Sequence, residues 1–294
     1  MSESSQDGNA FPTIKVEGKN IPKILVGSSP FLAAGQFGAK SRMYHSRFVL
    51  DPENIVDVIV HCINIGVTGI QLIAYDFLSR AVEKAEEITG VDMTVVGTMP
   101  FEEPVDGLRR LQELNAEVML IHGESTGTLD IGSIRELVGA IRDAGAVPGV
   151  AVHRVSMLPR IFESELDTRV VMLPINKLGY MMGDVREALD FVEKTDRFII
   201  AKKPLAAGRI MPGEGLEFVF GCKGVDAMAV GIASKEEANE TFSIARDILS
   251  KKYFRVTDQL IKYDVSISTP VCLLSPKIRH TASRVANPTW LEKI

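Results

Sequence analysis

The residues with the clearest chemical potential in this chain stand at the ends of apolar runs. His122 ends Val118-Met-Leu-Ile and His153 ends Val150-Ala-Val-His. Two imidazoles at such tips supply the groups that acid–base chemistry near neutral pH requires. The bland alternative is that each only caps its strand or bonds a backbone carbonyl. Lys202 and Lys203 follow Phe198-Ile-Ile-Ala, and Pro204 stops the run because it has no N–H to donate. Strand alternation sends one lysine inward and the other outward. An inward, desolvated lysine can lose its charge near neutrality and form a Schiff base, or stay charged and hold an anion; the plain alternative is a side chain snorkelling to the rim.

Other polar residues stand at comparable positions. Tyr75 and Asp76 join the catalytic candidates, and Gln71, Glu124, Arg154 and Asn176 are candidates for binding substrate. Ser28, Ser29 and Thr98 fall at further run ends. Ser234-Lys-Glu-Glu237 reads as a capping box, in which the Ser234 hydroxyl takes the Glu237 N–H and the Glu237 carboxylate reaches back. A helix start carries partial positive charge, so Ser234 and Lys235, with Gly208 and Arg209 of the preceding turn, form a candidate cofactor or phosphate site. Glu236 and Glu237 oppose that assignment. His122, Glu124, His153 and Asp76 are of metal-ligating type, but no HxH or HExxH spacing joins them, and no metal is assigned. His61, inside a helical stretch, reads as structural.

These residues need a scaffold, and the sequence supplies a regular one. Apolar runs at 24–28, 69–74, 93–99, 117–122, 148–153, 170–175, 198–203 and 227–232 alternate with helical stretches at 51–66, 76–89, 104–115, 131–144, 156–163, 184–194, 214–222 and 235–251. The runs are nearly continuous in Val, Ile, Leu, Met and Ala, as strands covered on both faces are. Strict alternation predicts an α/β fold, a parallel (β/α)8 barrel of the TIM type spanning residues 13–252, over an open doubly wound sheet. Active residues of such barrels lie at the carboxyl ends of the strands, and phosphate groups tend to sit between the last two. Asp51-Pro-Glu is expected to cap the first helix. Residues 13–23 alternate around Gly18 and predict an N-terminal hairpin. The connection from Ser29 to Asp51 is long and rich in Gly and aromatics, which predicts a packed loop over a site. Residues 1–12 read as a disordered tail. Residues 253–294, with Trp290 and a basic run of Lys277, Arg279, His280 and Arg284, read as a C-terminal extension packing on the barrel.

The chain has 294 residues, 46% of them hydrophobic, enough for a large core. A net charge of −5 gives no basic surplus, so nucleic acid is not expected as a partner, and a small-molecule substrate is. No apolar run approaches the roughly 20 residues of a membrane span. The polar, acidic start does not read as a signal peptide. Three well-separated cysteines, Cys62, Cys222 and Cys272, suit a reduced cytoplasmic compartment. None of this fixes the oligomeric state.

Five segments together resemble the aldo-keto reductases over most of residues 13–250. They are the hairpin with Gly18 and Ile21-Pro22, Met119-Leu-Ile-His122, Gly149-Val-Ala-Val-His153, Lys203-Pro-Leu-Ala-Ala-Gly208 and Gly231-Ile-Ala-Ser-Lys-Glu-Glu-Ala-Asn239. The resemblance implies a (β/α)8 barrel, a cytosolic setting, and hydride transfer from NADPH (or NADH) to a carbonyl. It also implies an acid–base tyrosine supported by aspartate, lysine and histidine. Of that set only the histidine is matched, by His122. The aspartate position falls on Gln71, the tyrosine position on Asp76 with Tyr75 one place early, and the lysine position near Gly97 or Thr98. The expectation is a divergent enzyme of a small carbonyl or phosphorylated compound. A non-redox lyase or aldolase using a lysine of the seventh strand, and a ligand-binding barrel without hydride transfer, stand as alternatives.

Overall fold

The computed structural model describes residues 10–252. The tail expected over residues 1–12 falls outside the described residues except for its last three. The extension expected over 253–294, with Cys272, Trp290 and its basic run, falls outside them entirely.

The chain opens with a hairpin of β1 (Thr13–Val16) and β2 (Lys19–Pro22), paired from Thr13↔Pro22 to Val16↔Lys19. Its two-residue turn, Glu17-Gly18, has positive φ at both positions (46° and 84°), the conformation whose twist matches paired strands. Eight strands then close into a barrel: β3 (Ile24–Gly27), β4 (Gly69–Ile73), β5 (Thr94–Thr98), β6 (Val118–His122), β7 (Val147–Ala151), β8 (Val170–Pro174), β9 (Phe198–Lys202) and β10 (Ala227–Gly231). All neighbours are parallel, and β10 returns to β3 in the register Met228↔Ile24. The strand assignments made from sequence match this order.

Alternation divides each strand between two cores. Leu25, Val96, Val118, Leu120, Val147, Val170, Met172, Phe198 and Ile200 pack inside the barrel, and Val16 and Ile21 of the hairpin close its amino-terminal end. Val26, Ile70, Leu72, Val95, Met119, Ile121, Val171 and Ile199 face the helices. Gly149 lies on the inward row of β7 and keeps that row open. A Cβ there would stand 2.3 Å from the Val170 carbonyl oxygen and 2.6 Å from Leu120 Cδ2. At the same end of the barrel Arg142 ties the hairpin to the wall, donating to Glu17 and, at 2.7 Å, to Asp167 Oδ2.

The helices between strands are α1 (Lys40–Tyr44), α2 (Glu53–Asn64), α3 (Asp76–Thr89), α4 (Pro104–Glu113), α5 (Gly123–Thr128), α6 (Ile131–Asp143), α7 (Pro159–Glu163), α8 (Val185–Lys194), α9 (Pro212–Gly221) and α10 (Lys235–Lys252). Helix α6 shows why they form: Asp130 accepts the Ser133 N–H at 3.0 Å, and Ile134, Leu137, Val138 and Ile141 make one buried stripe. No described helix is long and apolar enough to cross a membrane.

Three local expectations change. The Ser29–Asp51 connection is packed as expected but carries its own turns: a 3-10 turn at Gly35–Phe37, then α1, then a π turn at His45–Val49. Phe31 meets Phe48, and Phe37 meets Tyr44, each at 5.1 Å between ring centroids. The helix expected at 156–163 is a 3-10 turn, Val155–Met157, followed by α7, with Pro159 at its first position. Helix α2 starts without the Asp51 cap: the Asp51 carboxylate takes the Asn54 side-chain amide at 2.9 Å and no helix N–H. Helix α5, which caps on His122, was not legible as a separate element.

Candidate active site

The inward rows of β5, β6 and β9 end in Thr98, His122 and Lys202, and Gln71 stands on the inward row of β4 just below Ile73. With His153, just beyond β7, they line a cavity of about 420 Å³ at the carboxyl end of the barrel. The Ser29–Asp51 connection, through Pro30, Gln36, Phe37 and Tyr44, and the Lys203–Pro212 turn complete its walls. Gln71 and Thr98 are buried, and the Gln71 amide donates to Thr98 Oγ1 at 3.3 Å and to the Leu72 carbonyl at 3.2 Å. They hold each other rather than a charge.

His122 has a defined tautomer. Its Nδ1 accepts the Glu124 backbone N–H at 3.2 Å, so the neutral ring carries its proton on Nε2. Burial, and then the Lys202 charge, hold its pKa below the usual histidine value. His153 packs edge-on against it, ring centroids 5.9 Å apart. Burial, followed by the charges of Lys202 and Lys203, pushes His153 down to about 3. Its Nδ1 is buried without a hydrogen-bond partner among the described residues. Both imidazoles are therefore neutral at physiological pH.

Lys202 continues the inward row of Phe198 and Ile200, and its ammonium makes no ion pair or hydrogen bond with any described residue. Burial first, and then the Lys203 charge, bring it from 10.5 to about 7. Lys203 was expected to face away if Lys202 faced in. Instead its φ of +58° breaks the alternation where β9 ends, and both lysines line the cavity. The Lys203 ammonium donates to Gln36 Oε1, and burial lowers it from 10.5 to about 8. The cavity thus gathers two amines and two neutral imidazoles, with an apolar wall of Phe37, Met172 and Leu205.

The other sequence candidates are placed elsewhere, each by a local cause. Tyr75 lies off the cavity: the chain turns after β4, the Tyr75 N–H donates to the Ile73 carbonyl, and the residue becomes the N-cap of α3. Its hydroxyl donates to Glu102 Oε2 at 3.0 Å, and burial plus that carboxylate push its pKa up to about 12. Asp76 is on the surface in an ion pair with Arg80 at 3.0 Å. Glu124 is exposed, and only its backbone serves the site, through His122. Arg154 is exposed and lies against Gly183. Asn176 is fully buried but closes its own turn, its side chain bonding both the N–H and the carbonyl of Tyr180 at 2.9 Å.

The expected cofactor residues divide in the same way. The Ser234 hydroxyl accepts the Glu237 N–H at 3.1 Å, and the Glu237 carboxylate accepts the Ala233 N–H at 2.9 Å, so the capping box forms one residue wider than drawn from sequence. Lys235 pairs with Asp57 at 3.4 Å. Gly208 lines the cavity at φ +80°, whereas the Arg209 guanidinium lies 4.0 Å over the Tyr180 ring. Tyr44 and Lys40 line the cavity and escaped the sequence reading, because nothing in the spacing of a long loop marks them.

No family model matches the chain, and no curated protein does. Solved structures match over most of it. An aldo/keto reductase from Brucella melitensis aligns with a TM-score of 0.56 at 16% identity, over 82% of this chain and 99% of that one. A Bombyx mori aldo-keto reductase, solved in complex with NADP, aligns with a TM-score of 0.56 at 14% identity, over 85% of this chain and 95% of that one. The resemblance to aldo-keto reductases inferred from sequence holds for the fold.

Proposed function

We propose that the protein is an enzyme of small carbonyl compounds in which the Lys202 amine attacks the carbonyl carbon. The observation that carries this reading is the position of Lys202, inward at the cavity floor with no carboxylate partner among the described residues. A lysine held this way keeps a substantial share of neutral amine at physiological pH, and the neutral amine is the nucleophile. The Nζ lone pair forms the C–N bond as the carbonyl π pair moves onto oxygen. His122 Nε2–H donates to that oxygen, and the surplus proton on nitrogen returns to the imidazole, leaving a neutral carbinolamine. A proton from solvent then expels the hydroxyl as water, and the protonated imine remains. That imine draws electrons from the neighbouring carbon bond, the role assigned to lysine in lyases and aldolases. His153, pushed down to about 3 and packed edge-on against His122, stays neutral and adds no competing charge beside the imine.

Hydride transfer is the second reading, and the barrel's likeness to aldo-keto reductases, one of them solved in complex with NADP, favours it. The residues at the start of α10 fit a nucleotide phosphate poorly. Ser234 and Glu237 occupy each other's capping partners, Lys235 is paired with Asp57, and Glu237 and Glu240 put carboxylates on the cavity rim. Tyr75 points at Glu102 and not into the cavity. No step is therefore assigned to a nicotinamide.

Cyanoborohydride trapping with a panel of small aldehydes and ketones, read by peptide mass spectrometry, tests the first reading. A reduced adduct on Lys202, absent in Lys202→Arg, is expected. Saturable NADPH binding with carbonyl-dependent oxidation, and no adduct, would replace it with the second.

A further inference from the structure

The two lysines of this cavity do not do the same work. We infer that Lys203 is an anion anchor, and that the substrate is a carbonyl compound carrying a carboxylate or phosphate, its carbonyl at Lys202 and its anionic group at Lys203. This rests on the reading of Lys202 as the reacting amine and adds the class of substrate.

The backbone supplies the first argument. An ordinary continuation of β9 would turn Lys203 away from the barrel. Its left-handed φ of +58° brings the side chain back to the cavity, and Ala206 and Ala207 are also left-handed, at +48° and +57°. Each such non-glycine residue is strained, and strain of this kind collects where a side chain must be aimed. Two alanines and a lysine hold conformations that glycine would take more readily, next to a Gly208 that takes its own freely.

The second argument is hydrogen-bond capacity. An ammonium has three N–H donors, and Lys203 spends one of them on Gln36 Oε1, a neutral amide oxygen. Among the described residues no carboxylate pairs with Lys203 or Lys202. Glu237, on the same cavity, is bound to the Ala233 N–H, and Glu240 is exposed at the rim. The Gln36 backbone is held in turn, its main-chain carbonyl accepting at 3.4 Å the hydroxyl of Tyr180, whose ring lies under the Arg209 guanidinium. The ammonium is thus fixed with donors to spare.

The third argument is electrostatic division. Two amines this close share their protons unequally, and the more exposed one keeps its charge. Lys203 as the ammonium holds Lys202 in the neutral form that attacks carbon. An arriving anion then finds a charge-assisted partner at one lysine and a nucleophile at the other.

Titration calorimetry with pyruvate, with inorganic phosphate and with acetone tests the division directly. Wild type is expected to bind pyruvate or phosphate measurably below about 1 mM and acetone far more weakly, the preferred anion naming the source of the negative charge. Lys203→Met should weaken anion binding about tenfold or more, and Lys203→Arg should retain it, which separates lost charge from a misfolded turn. Lys202→Met should abolish cyanoborohydride trapping and keep anion binding. Anion binding undetectable in wild type, or unchanged in Lys203→Met, overturns the anchor. Anion binding that depends on Lys203 with no adduct on Lys202 leaves the anchor standing and removes the Schiff-base reading instead.

Discussion

Replacing Lys202 by Met removes the amine and keeps most of the stem, and it should make the protein more stable while ending its proposed chemistry. The unfolded chain keeps the lysine proton up to 10.5, whereas the folded protein releases it near 7. The unfolded state therefore binds more protons across that window, and stability rises with pH through it. At about 1.4 kcal/mol per unit, the gap is worth on the order of 4 kcal/mol of lost stability at neutral pH. The cavity is open and Lys202 is not wholly sealed from water, which brings the expected gain from Lys202→Met down to about 1–3 kcal/mol. Urea unfolding of wild type and variant at neutral pH and at about pH 9.5 reads both quantities. The variant should start higher and show a flatter rise with pH. Lys203, lowered from 10.5 to about 8, leaves a residual slope of the same sign. A variant no more stable than wild type at neutral pH, with the wild-type slope intact, would refute the placement of a largely desolvated amine at the cavity floor.

Other perturbations test the surroundings. Gly149→Ala forces a Cβ against the Val170 carbonyl inside the barrel, and thermal unfolding should show a loss of about 1–3 kcal/mol. His153 titrates near 3 in the folded protein against 6.5 unfolded, so stability should fall as pH drops below 6.5, and His153→Phe should flatten that fall in acid unfolding curves. Ser234→Ala removes the hydroxyl that accepts the Glu237 N–H and should cost about 1 kcal/mol by denaturant midpoint, with carbonyl trapping at Lys202 unchanged.

Much of the architecture was legible because each level of the sequence repeats the same statement. Strands buried on both faces read as unbroken runs of Val, Ile, Leu, Met and Ala, and the Ser234 cap marks a helix start without tertiary help, although the Asp51 cap read in the same way does not form. The inward direction of His122 and Lys202 follows from alternation alone, once the apolar residues two and four places earlier are known to face in. Departures occur where the chain leaves the strand. Tyr75 looked like a site residue because it follows β4, but the chain has already turned into α3. Asn176 ends β8 in the same way and spends its amide on its own turn. Lys203 needed a backbone angle that no pattern of residue types discloses, and Gln36 and Tyr44 reach the cavity from a connection whose turns are set by aromatic packing.

The pairing of β10 with β3 has a kinetic consequence. Ile24 and Val26 find partners in Met228 and Val230, roughly two hundred residues later in the chain. A nascent chain leaving the ribosome exposes one edge of β3 through nearly the whole of synthesis. Loop closure over that span comes late and slows folding, because its entropy must be met before the contact exists. Until then β3 and β9 each lack the strand neighbour that β10 supplies, and the burial that shifts Lys202 is incomplete. An arrested chain ending before Ala227 should carry a lysine that titrates closer to its value in water.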